Sequence, residues 1–471
     1  MESCEYQELK VRNECEKERL WCLLKQLLIC STVWTQFFMT GLSVGATTVM
    51  VPQLKREQST EINAELISWL YSTTSFAILP WVFILPYFTS LTGRKFPQIV
   101  NSVITTTSFL ILYFGSEIKH IIISEIIQGY FHAANITLMV IILTDYSSVK
   151  YRGIFLGMKD ASFFWGMWMA NFIGTFYHWK NVALLGIICS LYTYNVIFWK
   201  ESPVWLASKG RIEKCKMCFR WIRGTDKDSE KELQELISDE PQIKYDIIRF
   251  IDTISSPEFY KPLLLSLVAV AHYHLSAKMV CSLFVLDILK IITKDENSAY
   301  TGMLILDGVT VFGTYVGSYL VKILKRRTLY MFTSCCVVAC LLIISLYLYL
   351  VKWKVLEENN YVLMVFFCMH SAAVSCGPVV LAVSVFGELI SPRFQATSYT
   401  VTGGTFCIIN MIIVKCSHQM FRVFDVSGTF LFYGVMCCIC TSYLYMFLPE
   451  TRNKTSKEIE LYFRPKAMGD M

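Results

Sequence analysis

The residues best able to do chemistry lie where burying them costs most. His272, His274, Lys278 and Asp287 fall inside one apolar run, and Lys159 and Asp160 open another. Ionisable side chains at membrane depth face a cavity or a partner, so each is a functional-site hypothesis by default. The chemistry they offer is hydrogen bonding, ion pairing and proton exchange with a solute, not covalent catalysis. On an uninterrupted helix His274 and Lys278, four residues apart, share a face, so one cavity wall would carry both. Histidine titrates near neutral pH, which would permit proton coupling. Two readings of Lys278 stay open: contact with a solute, or an internal pairing with a carboxylate such as Asp160 or Asp307 that serves structure only. His272 points away from His274 and reads as a packing residue.

The sequence contains no phosphate-binding loop, catalytic triad or metal-ligand cluster, so no enzyme activity, cofactor or metal is expected. Cys215 and Cys218 form a lone CxxC without a second pair. Most of the 18 cysteines sit in apolar runs, where they act as small hydrophobes rather than disulfide partners.

The elements that position these residues are set by composition. The 471 residues are 54% hydrophobic and only 17% charged, with a mean hydropathy of +0.46. That is a polytopic membrane protein. Twelve runs reach the length of about twenty residues that crosses a bilayer, centred near 38, 75, 105, 131, 163, 189, 271, 312, 340, 375, 406 and 437. The expected fold is all-α, with twelve transmembrane helices in two six-helix halves. The halves span 26–200 and 259–448, flanked by an N-terminal segment (1–25) and a tail (449–471). Similar exits, Glu201-Ser202-Pro203 and Pro449-Glu450-Thr451, close the two halves and imply a duplicated unit. The opening segment lacks a signal peptide's pattern, so the first apolar run is expected to stay as an anchor. Between the halves, 201–258 is polar and Lys-rich, and the stretch from Asp228 has the apolar spacing of an amphipathic helix. Basic residues concentrate in alternate loops: Arg94 and Lys95, Lys150 and Arg152, Lys322 to Arg327, Arg393, and the tail. The opposite loops carry few, such as Lys119, Lys180, Lys290 and Lys415. The positive-inside rule then puts both termini in the cytosol. The net charge of +6 needs no nucleic acid.

Order and spacing along nearly the whole chain resemble the sugar porters of the major facilitator superfamily, and most the insect facilitated trehalose transporters. The resemblance is carried by Val51-Pro52-Gln53-Leu54, by Glu125 to Gly129 followed by Asp145 and Arg152-Gly153, by Leu320-Val321 to Arg326-Arg327, by Gly377-Pro378 with Glu388, and by Pro449-Glu450-Thr451. It implies a midplane cavity between two halves that rock to give alternating access. The implied cargo is a hexose or trehalose moving by facilitated diffusion.

The family's cytoplasmic gate pattern, Gly-x-x-x-Asp-Arg-x-Gly-Arg, keeps Gly93, Arg94 and Lys95 here, but its Asp and Arg positions are Ser90 and Leu91. Lys322 stands at the equivalent Asp position of the second half. The fourth-span arginine is Glu125, and the glutamate after that span is Asp145. Gate candidates are therefore Gly93, Arg94, Lys95, Glu125, Asp145, Arg152, Glu201, Arg326, Glu388, Arg393 and Glu450. They either pair across the cytoplasmic ends or snorkel at the interface. At the central site the fifth-span glutamine position is Asn171, which keeps an amide. The seventh-span pattern aligns with Tyr273-His274-Leu275-Ser276-Ala277-Lys278-Met279, identical only at Leu275 and Ser276. Substrate-binding candidates are Asn171, Tyr273, His274, Ser276 and Lys278. Two alternatives to a carbohydrate carrier are kept: a transporter of another polar or anionic solute through Lys278 and His274, and a sugar-porter-like sensor that moves nothing. The expected partners are the small solute and the lipid bilayer of the plasma membrane, for a monomer.

Overall fold

In hydrocarbon every backbone N–H and C=O must find its partner within the segment, so the apolar runs fold as helices. The computed structural model describes residues 2–57, 64–115, 117–238, 256–293, 295–357, 359–381, 389, 395–452, 454 and 456–463. Among these residues 10 helical stretches are long and apolar enough to cross a membrane. Two further long helices, α3 (Lys95–Phe114) and α6 (Val149–Phe176), complete a bundle of twelve. These two are less apolar than the other ten for a physical reason. The buried face of α3 carries Gln98, Asn101, Ser102, Thr105 and Ser108, and α6 carries Lys159 and Asp160.

The first half comprises α1 (Glu2–Glu57), α2 (Ala64–Thr92), α3, α4 (Ile118–Ile136) continued by α5 (Leu138–Tyr146), α6, and α7 (Lys180–Thr193). Three short helices follow: α8 (Pro203–Ser208), α9 (Ile212–Arg223) and α10 (Lys227–Ser238). In the second half, α11 (Pro257–Leu275), α12 (Lys278–Leu283) and α13 (Val285–Thr293) make one broken span. Then come α14 (Glu296–Ile323), α15 (Arg326–Lys352), α16 (Asn360–Val374) with a π turn over Ser375–Val379, α17 (Gln395–Val423), α18 (Asp425–Phe447) and the short α19 (Ser456–Phe463).

Helices α1 and α6 cross so closely that a Cβ on Gly41 would run into the Phe163 carbonyl, and one on Gly166 into that of Phe38. Small residues at a crossing let backbones approach where lipid supplies no hydrophobic drive. At the end of the bundle that carries α8–α10, here the linker end, these helices bury Trp205, Leu206, Cys215, Phe219 and Leu233 against one another. Each large side chain so buried contributes about 1.5–3 kcal/mol. They dock on the first half through Lys25 Nζ to the Trp221 carbonyl at 3.0 Å, Gln26 Nε2 to the Ile222 carbonyl at 3.1 Å, and Trp205 Nε1 to the Ser90 carbonyl at 3.0 Å. The amphipathic helix expected from Asp228 is α10, with Leu233, Leu236 and Ile237 facing this small core. Cys215 and Cys218 are free thiols within it, and burial raises both above the usual thiol range.

At the far end the halves meet directly. Arg56 pairs with Glu296, the Tyr71 and Phe284 rings lie 4.9 Å apart, and Lys415 Nζ sits 4.0 Å over the Trp69 ring. A turn or two deeper, Asn410 Nδ2 donates to Ser75 Oγ at 3.1 Å.

Candidate functional site

The seventh span is not one helix. Ala277 takes a left-handed conformation (φ 59°), so α11 ends at Leu275 and Lys278 opens the new helix α12. His370 of α16 holds the break: its Nε2, which must carry the proton because a carbonyl only accepts, donates to the Ser276 oxygen at 2.9 Å. Interrupted helices of this kind line solute sites in membrane carriers.

The break overturns the shared face expected for His274 and Lys278. Tyr273 and His274 pack instead on Phe406 of α17, with ring centroids 5.7 and 4.4 Å away, and Ser276 Oγ donates to the Tyr273 carbonyl at 2.6 Å. Lys278 turns elsewhere. It is 4% exposed; its Nζ donates to Thr310 Oγ1 at 2.6 Å and to Ser371 Oγ at 3.4 Å, and lies 5.5 Å from the Phe164 ring of the first half.

One turn before Thr310 on α14, the Asp307 carboxylate accepts from Asn171 Nδ2 at 2.6 Å. This hydrogen bond crosses between the halves, from α6 to α14. Asp307, Lys278, Cys281, His370 and Ser371 line one small cavity, closed on its apolar side by Val285, Leu306 and Phe367. Its room for a water centre is about 20 Å³, enough for a single water and too little for a sugar. In this closed arrangement the polar groups bond to one another, with Asn171 Oδ1 left unpaired among the described residues. The predicted residues Asn171 and Lys278 come together through Asp307 and Thr310, whereas Tyr273 and His274 do not join them. Lys159 makes its own pair with Asp160 at 2.5 Å, under the Phe37 ring.

The gate candidates fall into two matching sets at the linker end. Glu201 accepts from the backbone N–H of Arg94 at 2.7 Å, Lys95 at 3.2 Å and Ser202 at 2.9 Å, so it caps the start of α3. Glu450 accepts from the N–H of Arg326 at 3.0 Å, Arg327 at 3.2 Å and Arg452 at 3.0 Å, capping α15 in the same way. A carboxylate at a helix N-terminus meets both the free donors and the positive end of the dipole. The duplicated exits of the two halves thus perform the same task. Asp145 adds a second latch, accepting from Arg94 Nε at 3.2 Å and Ser202 Oγ at 2.7 Å. Arg152 lies on the first turn of α6 and makes no ion pair among the described residues. Glu388 and Arg393 lie outside the described residues.

Glu125 does not belong with them. It sits on the second turn of α4, at the opposite end of the bundle from Arg94, buried and accepting a hydrogen bond from Thr74 of α2. α4 runs antiparallel to α3, so a residue seven positions into α4 is near the far end, not the linker end.

Sequence reading also missed a cluster between α1 and α4. Ser43 bonds Gln128 and lies 3.2 Å from His132 Nε2, Asn135 bonds Thr40, and Gln36 is buried with both side-chain polar atoms unpaired among the described residues. The signal was there in amides and an imidazole within otherwise apolar runs.

The described residues form a twelve-helix membrane bundle in two halves, with a broken span at a polar interface between them. Its fold matches the proton:xylose symporter XylE bound to 6-bromo-6-deoxy-D-glucose, with a TM-score of 0.76 at 13% identity over 93% of this chain and 99% of that one. The inward-open form of XylE from E. coli gives 0.74, over 93% and 100%. The chain belongs to the sugar (and other) transporter family, whose model matches residues 21–463. It is 22% identical over 458 residues to the facilitated trehalose transporter Tret1 of Bombyx mori, covering 96% of this chain and 88% of that one. Tret1 of Polypedilum vanderplanki is 23% identical over 375 residues (78% and 73%), and sugar transporter ERD6-like 6 of Arabidopsis thaliana 21% over 387 (79% and 77%).

Proposed function

We propose that this chain carries a small carbohydrate, a hexose or trehalose, across the plasma membrane by facilitated diffusion with alternating access. The observation that carries the reading is the Asn171–Asp307 hydrogen bond, a 2.6 Å link between the halves at membrane depth. A rocking motion must break it, and breaking it frees an amide, a carboxylate and the neighbouring Lys278, Thr310 and Ser371 for a solute. Such a mixed set of donors and acceptors suits hydroxyl groups, which both donate and accept. Asp307 on the same cavity cancels the charge of Lys278, which favours a neutral solute over an anion.

In this reading Asn171, Ser276 and Lys278 contact solute when the cavity opens, with Tyr273 and His274 of α11, packed on Phe406 of α17, as its wall. The linker end faces the cytosol, as its basic loops favour. There Glu201, Glu450 and Asp145 latch Gly93, Arg94, Lys95 and Arg326, with Arg152, Glu388 and Arg393 completing the gate. The test is uptake of labelled trehalose and glucose in proteoliposomes of the wild type and Asn171→Leu. Saturable uptake that falls severalfold in the variant supports the reading. Uptake of neither sugar by folded wild-type protein overturns it and leaves a sensor.

A further inference from the structure

Asp307 and Lys278 are opposite charges on one cavity, yet they do not touch. Among the described residues Lys278 has no carboxylate within 4.0 Å; its ammonium is held by the hydroxyls of Thr310 and Ser371. Neutral oxygens around a buried positive charge, with a carboxylate nearby, are the surroundings that a free cation would need. Here the cation is attached to the chain.

We propose that Lys278 is a tethered cation standing in for a coupling ion: it keeps Asp307 ionised in both conformations and so makes the carrier indifferent to protons. The inference rests on the transport reading above, and it follows from which half each group belongs to. Asn171 donates to Asp307 from the first half and is lost when the halves separate. Lys278 and Asp307 lie on α12 and α14 of the same half, so their relation survives the motion. A carboxylate in a low-dielectric interior needs a counter-charge or a proton, and Lys278 supplies the counter-charge throughout.

The other titratable groups around Asp307 do not take over this role. Cys281 and His370 line the cavity, but the His370 ring is committed to the Ser276 carbonyl. On α13, Asp287 is exposed and Lys290 is bound to Glu296 at 2.6 Å. On α6 the nearest charges are the mutually paired Lys159 and Asp160, roughly 18 Å along the helix from Asn171. The π turn brings Cys376, whose Sγ donates to the Gly313 carbonyl.

Removing the tether should convert the carrier. In Lys278→Met the missing charge is made up by a proton from water, which binds a carboxylate oxygen of Asp307 on one side and leaves it on the other. The experiment compares wild type, Lys278→Met and Lys278→Met/Asp307→Asn in two ways. Proteoliposome uptake of labelled trehalose and glucose is measured with and without an inward proton gradient at clamped potential. Infrared spectra of the purified proteins follow the C=O band of a protonated carboxyl group.

Wild-type uptake is expected to be unchanged by the gradient, with no protonated Asp307 at neutral pH. Lys278→Met should gain the band and accumulate solute up to about tenfold per pH unit of gradient, and the double variant should lose both. A folded Lys278→Met without an Asp307-dependent band, or wild-type uptake driven by the gradient, overturns the proposal. If the wild type moves no sugar, the transport reading fails and the infrared result alone decides for or against Lys278. If Lys278→Met does not fold, the wild type is compared with Asp307→Asn: a protonated-carboxyl band at neutral pH that Asp307→Asn removes overturns the proposal, and its absence upholds it.

Discussion

Replacing Gly93 with alanine exposes how the linker-end latch is built. Gly93 has φ of +96°, and a Cβ there would collide with the Glu201 carboxylate. That carboxylate holds the N–H groups of Arg94, Lys95 and Ser202 at 2.7, 3.2 and 2.9 Å. Two costs therefore combine in Gly93→Ala. A non-glycine residue at positive φ stores about 1–3 kcal/mol, and displacing Glu201 weakens hydrogen bonds to a charged group worth about 1.5–3 kcal/mol each. Once Glu201 is alanine the collision is gone, and Gly93→Ala costs only the backbone strain. The two substitutions should then be less than additive by about 2 kcal/mol, roughly thirtyfold in an equilibrium constant. The assay is reversible unfolding in mixed detergent micelles for the wild type, both single variants and the double. Additivity within about 0.5 kcal/mol would refute the claim that Gly93 is required to admit Glu201.

Other consequences are open to measurement. Gly41→Ala and Gly166→Ala should each destabilise the first half by several kcal/mol, because backbone rather than a movable side chain blocks the added Cβ; thermal inactivation would show it, and a wild-type half-life would contradict the close crossing. Arg56 and Glu296 are 57% and 46% exposed, so Glu296→Gln should alter flux by no more than about fivefold, less so in high salt. In the linker, the hydrogen bonds from Arg220 to Glu230, at 2.6 and 3.1 Å, hold the Glu230 carboxyl below its ordinary range. A depressed folded value gives stability that is present above the unfolded value, about 4.3, and is lost as the pH falls through the folded one. Proteolysis within α9–α10 should accelerate on acidification across that window, and Glu230→Gln should flatten the response.

Much of the fold was legible because lipid imposes a simple rule: about twenty apolar residues make one crossing. Where the rule bends, the cause is local. Helices α3 and α6 carry enough Ser, Thr, Asn and charge to look half-soluble, yet many of those groups bond inside the bundle, as Thr106 does to Ser190 at 3.0 Å. The break at Ala277 was not legible, since His274-Leu275-Ser276-Ala277-Lys278 contains neither glycine nor proline; tertiary contacts, His370 on the Ser276 carbonyl among them, impose it. That break separates His274 from Lys278 and brings Asp307 and Thr310 to the lysine instead. Glu125 stands at the family's fourth-span arginine position, which the resemblance counts with the gate, while the direction of α4 puts it at the other end beside Thr74. Residues on α14 and α16 that face Lys278 could be found only once the packing of those helices was known.

Counterflow decides whether this bundle is a working carrier. Proteoliposomes loaded with unlabelled trehalose or glucose are placed in a trace of the labelled sugar, and the label inside is followed over time. A carrier that alternates between two faces, breaking and remaking the Asn171–Asp307 bond, predicts a transient overshoot of label in loaded vesicles that empty vesicles lack. A folded, reconstituted protein whose vesicles take up label no faster than protein-free liposomes would contradict it.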